Sequence, residues 1–597
     1  MAEVDKPLDL GTGVVCASFG ASGGWLSLGT VHPSHGFVEL SGLPPFDERG
    51  RGDPTATRRY RAAMADERFA FLSVQPSATG VVPWLEGGDA PPQPGLVWHG
   101  AGVSADALAA GGRTIVQRWR LPEEGARVRF SGTLDRPALA EITELDPPPP
   151  TGARTGLVAD GARLLVLAES LPAAAVVAAS GGSWRLSSPG VAELVSPGPE
   201  LELRVALAPL AHPPDIEWSP GSAAHAAYPA EAGPASGGDR LIARALAYVR
   251  GCTSLQTGDG ERVILTDHRL LPLSWTRDAY YQAVLLLASA DAVDRQRVAE
   301  HLRWLWVRCE RPDGRWVRSH HADGRRKDLA FQADQQLYPL IELADYWRAA
   351  GELPAGVEWD LAAAHAWSAA LEAVDPTSGL IASTENAADE PAAAPYIGAS
   401  QIVLWYAARR LAEVVGGGAL GLDAAELGEV ARRAREGFER RLVVNGRWAY
   451  ATDRHGGTVA YHDANDLPVA LAPLWGFCAP EDPAWLRTMA FAFSRENPGW
   501  AAGERDGLGS AHTPGAWTLG DVQAWISARA RSDDRAAAKA LDRLGSVAFT
   551  DGMLPEAYST DGPMSRVRHW FAWPGATIAG LLLLDRTGLL EARLVAR

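Results

Sequence analysis

ENAADEPAAAPY at residues 385–396 runs into an apolar stretch of helical period at 399–415, and GMLPEAYSTDG at 552–562 stands in the same relation to 566–587. In both places a loop punctuated by Gly or Pro carries carboxylates and then gives way to a long helix, so each offers a carboxylate at a loop tip where two helices meet. The same texture extends outward from these two segments. Helical patterns fall at about 240–251, 276–290, 293–308, 334–349, 359–373, 399–415, 424–441, 464–477, 482–494, 516–531, 533–547 and 566–587. Twelve helices without intervening strands suit six α-hairpins closed into a toroid, an all-α (α/α)6 barrel. The loops between them are longer than plain helix connections need and hold Trp, Asp, Glu, Arg and His, so function is expected there.

Residues before this region read differently. GVVCAS at 13, GWLSLGTV at 24, GFVELSG at 36, FAFLSV at 69, TIVQRWRL at 114, RVRFSG at 127, RLLVLAES at 163 and ELELRVALAP at 200 are short β-type runs broken by Gly, Pro and Asp. Their spacing predicts an N-terminal antiparallel β-sandwich. The expected organisation is a β-sandwich domain over 1–212, a Pro/Ala/Gly/Ser-rich linker over 213–239 and a catalytic barrel over 240–597.

Composition narrows the partners. A formal charge of −16, from 56 basic and 72 acidic residues, argues against nucleic acid and against anionic membranes. Cys16, Cys252, Cys309 and Cys478 have no metal-ligand spacing and read as reduced core thiols, so neither a zinc site nor a disulfide framework is expected. No cofactor and no metal are predicted. The start MAEVDKPLDLGTG lacks signal-peptide regions and no apolar run is long enough to span a bilayer, which predicts a cytoplasmic protein. Oligomeric state is not legible.

Two loop carboxylates suggest acid/base hydrolysis, because cleaving a glycosidic bond needs one carboxyl to protonate the leaving oxygen and a second to activate water or attack the sugar. The 22 Trp supply faces for stacking on sugar rings, although aromatics also dominate ordinary cores. Five further loops carry polar clusters. In LSWTRDAYYQA at 273–283, Arg277 and Asp278 read either as a cap with an ion pair or as a pair gripping a vicinal diol. In DLAFQADQQLYPL at 328–340, Asp334 suits a helix cap, while Gln332 and Gln336 exceed what a cap requires. YHDANDLPVALAPLWGF at 461–477 packs His462, Asp463, Asn465 and Asp466 ahead of a helix. SRENPGWAAGERDGLGSAHTPGAW at 494–517 holds Trp500, His512 and Thr513 in a Gly-rich loop. RVRHWFAWPGATIAGLLLL at 566–584 places His569, Trp570 and Trp573 at a helix start.

Taken in order, WTRDA at 275, DQQLYPL at 334, NAADEPAAAPYIGASQI at 386, HDANDLP at 462, NPGWAAGERDGLGSAHT at 497 and PEAYSTDGPMSRVRHWFAW at 555 resemble glycoside hydrolase family 125, the metal-independent exo-acting α-mannosidases. The resemblance covers roughly 240–590 and leaves the β region unexplained. A more distant likeness to glucoamylase-type barrels points to the same two loops. The resemblance implies an (α/α)6 barrel and an inverting mechanism, with Asp389 as general acid, Glu385 or Glu390 being the alternatives for that role, and Glu556 as general base. It further implies a sugar subsite built from Arg277, Asp278, Asp334, Gln336, Glu390, His462, Asp463, Asn465, His512 and His569, with Trp275, Trp500 and Trp573 as stacking walls. The chain departs from the family pattern in the acid loop, where an Arg and a Ser-Asp-Asp run give way to Asn386-Ala-Ala-Asp-Glu, and at Pro555, where the pattern has His.

The expected reaction is release of single sugars from short α-linked oligosaccharides by single displacement. The alternatives are a glucoamylase-type α-glucosidase and, in another class, a non-hydrolytic sugar epimerase or a carbohydrate-binding protein on the same toroid.

Overall fold

The computed structural model describes residues 6–43, 54–85, 94–100, 103–109, 112–122, 125–137, 155–169, 171–210, 237–258, 260–567 and 569–590. Most of the expected linker, 213–239, lies outside the described residues. The chain divides into two compact units. The first comprises Met1–Ser236, Ala243–Leu273 and His321–Asp323, and the second Gly237–Ile242, Ser274–His320 and Gly324–Arg597.

The first unit is mostly antiparallel sheet. One nine-stranded sheet runs through Leu8–Gly11, Val15–Phe19, Trp25–His32, Leu72–Gln75, Ala126–Ser131, Val191–Ser196 and Trp184–Ser188, with Gly36–Ser41 and Thr133–Asp135 off this path. A second, eight-stranded sheet is centred on Ala174–Ala179, Glu200–Ala208 and Thr114–Arg120. Strand Ala126–Ser131 shows the driving pattern, burying Ala126, Val128 and Phe130 while exposing Arg127 and Arg129. Residues of both sheets, among them Phe19, Trp25, Phe130, Trp98, Trp119 and Leu203, share one buried cluster. Two indole donors inside it are paired: Trp25 Nε1 donates to Gln117 Oε1 at 2.7 Å and Trp98 Nε1 to the Gly20 carbonyl at 3.1 Å. All eight expected runs overlap strands; the helix Pro54–Met64 was not expected.

From Gly237 on, twelve α-helices are present among the described residues. Thr276–Ala288, Tyr338–Ala350, Gly398–Gly416, Leu467–Leu471, Thr518–Ala530 and Ala572–Arg586 each pack against the next, and the last packs against the first. These helices are buried along most of their length. The alternate helices are one-sided. Asp534–Val547 buries only Ala537, Ala540, Leu544 and Val547, a single stripe of helical spacing.

Three expectations need correction. The helix expected over 464–477 spans only Leu467–Leu471, because Pro473 follows closely and Gly476 takes φ +78. The helix expected from 566 begins at Ala572, since Trp570 forms a bridge with Pro555 instead. Strands were expected to be absent here, yet two-residue ladders tie the loops together: Ala516–Trp517 with Ala557–Tyr558, Trp500–Ala501 with Gly507–Leu508, and Tyr396–Ile397 with Ala451–Thr452.

Candidate active site

Asn386 folds the first carboxylate loop. Its Oδ1 accepts from the backbone N–H of Ala388 at 2.9 Å and of Glu390 at 3.1 Å, and its own N–H donates to the Glu390 carbonyl at 2.8 Å. The turn forces Asp389 to φ +60, a left-handed conformation that Asp tolerates better than most residues but that still costs on the order of 1 kcal/mol. Two donors from elsewhere then fix its carboxylate: Trp275 Nε1 reaches Oδ2 at 3.1 Å and Gln332 Nε2 reaches Oδ1 at 2.6 Å. Arg277 Nη2 stands 3.8 Å from Oδ1.

Arg277 is the hub. It leaves the first turn of the helix Thr276–Ala288 and donates through Nη1 to Gln332 Oε1 at 2.9 Å and to Asp334 Oδ2 at 3.0 Å, with Asp278 at 3.8 Å. Burial opposes its charge, but Asp334, Asp278 and Asp389 more than compensate and hold the guanidinium protonated. Its Cζ lies over the Trp573 ring, 4.9 Å from the centroid, and that ring stacks in turn on Tyr281 at 5.8 Å.

Glu556 is held by backbone on both sides. Its N–H donates to the His569 carbonyl at 3.0 Å, its carbonyl accepts from Thr518 N at 3.2 Å, and Thr518 Oγ1 donates to the Pro555 carbonyl at 2.6 Å. Its side chain is buried, 6% exposed, with His569 Nδ1 at 3.7 Å from Oε1. Burial raises the carboxyl, but the facing His569 ring, with His512 and Thr513, outweighs it, so Glu556 lies below its ordinary range. A buried carboxylate that stays ionised suits a general base.

One route of contacts joins the carboxylate loops, and an electrostatic route accompanies it. Arg277 links Asp389 to Trp573, whose ring meets Phe571 edge-on at 6.4 Å; Phe571 stacks on His569 at 4.9 Å, and His569 faces Glu556. By the second, Glu390 Oε1 meets His512 Nδ1 at 3.3 Å, and His512 acts electrostatically on Glu556.

The remaining residues fall into two groups. Asp463 organises its loop, accepting on Oδ1 from Asn465 N and Nδ2 and on Oδ2 from Tyr461 Oη at 2.7 Å and Ala511 N at 3.1 Å. Asn465 Nδ2 also reaches Ser510 Oγ at 3.1 Å. Asp466 makes no side-chain cap and accepts instead from Asp463 N, with its carboxyl pushed well up by burial and by the Asp463 charge. By contrast, Gln336 spends its amide on the carbonyls of Trp316 and Gln332. His462 pairs through Nε2 with Gln523 Oε1 at 2.8 Å and is lowered by burial. Trp500 sits in the ladder of its own Gly-rich loop opposite Leu508, and its N–H donates to the Asn497 carbonyl at 2.9 Å.

Gln332, Thr513 and Arg318 were missing from the sequence-derived subsite. Gln332 and Thr513 stood in segments already singled out, but Arg318, which holds Glu385 at 3.2 Å beside Asp389, carries no motif signal. Among the described residues no group of three or more His, Cys, Asp or Glu could hold a metal ion, the four cysteines are buried thiols, and no helix is long and apolar enough to cross a membrane.

Residues 365–583 match the family model of the metal-independent alpha-mannosidases, GH125. The meiotically up-regulated gene 157 protein of Schizosaccharomyces pombe is 26% identical over 160 residues, which is 26% of this chain and 31% of the yeast protein, so the match spans about a third of that relative. Among solved structures, a metal-independent alpha mannosidase of Streptococcus pneumoniae in a non-productive complex with alpha-1,6-mannobiose aligns with TM-score 0.50 at 21% identity, over 60% of this chain and 94% of that one. A bacterial glucoamylase complexed with acarbose aligns with TM-score 0.59 at 12% identity, over 99% of this chain and 95% of that one. The resemblance to GH125, and more distantly to glucoamylase-type glycosidases, therefore stands, and the fold is glycosidase-like.

Proposed function

We propose that the cycle of six packed helices is the inner wall of an (α/α)6 barrel, that the sheet region is a β-sandwich, and that the barrel hydrolyses α-linked mannosides from a chain end with inversion. The observation that carries this reading is the run of contacts from Asp389 through Arg277, Trp573, Phe571 and His569 to Glu556. It supports one site served by both loops. The GH125 match over 365–583 spans both carboxylates.

In this mechanism Asp389 gives its proton to the glycosidic oxygen as the bond to the anomeric carbon breaks. Glu556 takes a proton from a water, whose oxygen attacks that carbon from the opposite face through an oxocarbenium-like transition state. Trp275, Gln332 and Arg277 keep the Asp389 carboxyl aimed, and His569 with Thr513 keeps Glu556 ionised. Asp278, Asp334, Asp463 and Asn465 are proposed to bind sugar hydroxyls, Trp573 to form a wall beneath Arg277, and Glu390 with His512 to form part of the rim.

The test is release of monosaccharide from a panel of α-linked mannobioses, with maltose as the glucoside arm. Native protein is expected to release mannose, and Glu556→Gln to lose turnover on the order of 10²–10⁴-fold with ligand binding retained. Asp389→Asn should keep more activity on aryl glycosides with good leaving groups. Cleavage of maltose alone would move the assignment to a glucoamylase-type α-glucosidase, and inertness toward every glycoside would remove the hydrolase reading.

A further inference from the structure

An open groove of about 620 Å³ lies in the helical unit, between the hairpin around Gly446, the strand segment at 458–460 and the helix Pro483–Ala492. That volume falls within the roughly 300–1,000 Å³ taken by small-molecule sites. It is lined by Arg447 and Arg487 against a single acidic side chain, Glu496, in a chain whose net charge is −16.

Both guanidiniums are held in place. Asn445 at φ +52 and Gly446 at φ +70 make the tight primed turn between Val443–Val444 and Arg447–Trp448. Arg487 Nε donates to the Gly446 carbonyl at 2.6 Å, and a Cβ on Gly446 would come within 2.5 Å of Arg487 Nη2, so only glycine lets the guanidinium lie against the turn. Arg447 lies over the Phe491 ring at 3.8 Å, and Trp448 N donates to Thr488 Oγ1 at 2.8 Å, pinning the hairpin to the helix. Among the described residues neither arginine is in a salt bridge, and the Phe491 face is already occupied, which disfavours sugar stacking there.

We propose that this groove binds a small anionic carbohydrate, its phosphate or carboxylate gripped by the planar forks of Arg447 and Arg487 and its hydroxyls facing Asn445 and Thr458. Guanidinium pairs match both oxyanions bidentately, which a point charge does not. The site shares none of the residues assigned to hydrolysis.

Calorimetric titration of the full chain with a hexose 6-phosphate, a hexuronate and inorganic phosphate tests it. At least one of the two sugars is expected to bind saturably and at least 10-fold more tightly than inorganic phosphate, and whichever binds tighter identifies the oxyanion. The Arg447→Ala/Arg487→Ala protein should lose at least 10-fold in affinity with hydrolysis of α-mannosides unchanged. Arg447→Lys/Arg487→Lys, which keeps the charge and removes the forks, should lose most of the same affinity and decides the matter if the alanine protein folds poorly. Absence of saturable binding by native protein, or affinity undiminished in the lysine protein, would overturn the proposal. Neither result depends on whether the chain is a hydrolase.

Discussion

Glu556 and His569 form the pair on which the proposed chemistry turns. Burial alone would raise the Glu556 carboxyl, and the partner that chiefly reverses this is His569. Because the folded value lies below the ordinary carboxylate value of about 4.3, this carboxylate contributes stability above that pH and loses it as pH falls through the lowered value. The acid limb of kcat/KM should accordingly lie below the ordinary carboxylate range. His569→Ala removes the counterweight to burial, so the limb should move to higher pH; a pH–rate profile unchanged by the substitution would separate His569 from the base. The sequence marks both loops by carboxylates set between Gly or Pro and apolar helices, and singles out Asp389 and Glu556 within them only through the family resemblance. It did not reveal the engagements of Gln336 with the Trp316 carbonyl or of His462 with Gln523, since those partners lie 20 and 61 residues away and are selected by packing.

At the scale of elements, the short ladders and close backbone approaches place the loops. Gly520, in the first turn of Thr518–Ala530, has no room for a side chain: a Cβ there would lie 2.5 Å from the Leu508 carbonyl oxygen and 2.8 Å from Leu508 Cβ. Gly520→Ala should therefore destabilise by about 1–3 kcal/mol despite alanine's better helix propensity, and should lower activity by moving Thr518, which holds the Glu556 backbone. Thermal melts and turnover of that variant check both, and a more stable, fully active protein would contradict the packing described. One-sided helices such as Asp534–Val547 were readable because burial on a single face leaves a 3.6-residue stripe. Strand Ala174–Ala179, AAVVAA, was not, because burial on both faces erases alternation and leaves an apolar run with no period. The two-residue strands were equally silent, being shorter than any pattern.

At the scale of the whole molecule, the first unit takes in residues well beyond the β region, including Ala243–Leu273. Arg269, 1% exposed, pairs with Glu39 at 2.9 Å, Arg262 Nη1 donates to the Gly13 carbonyl at 2.9 Å, and Gln256 N donates to the same carbonyl at 2.9 Å. Removing residues 1–230 would strip those partners, and breaking a buried ion pair costs about 3–5 kcal/mol. The truncated chain should aggregate in size-exclusion chromatography, whereas a soluble, active fragment would show that the remainder folds alone. The central claim is single displacement by Asp389 and Glu556, and its stereochemical outcome is read most directly by time-resolved proton NMR on an α-mannoside. The account predicts that β-mannose appears first and mutarotates to the equilibrium mixture; first release of α-mannose would contradict it.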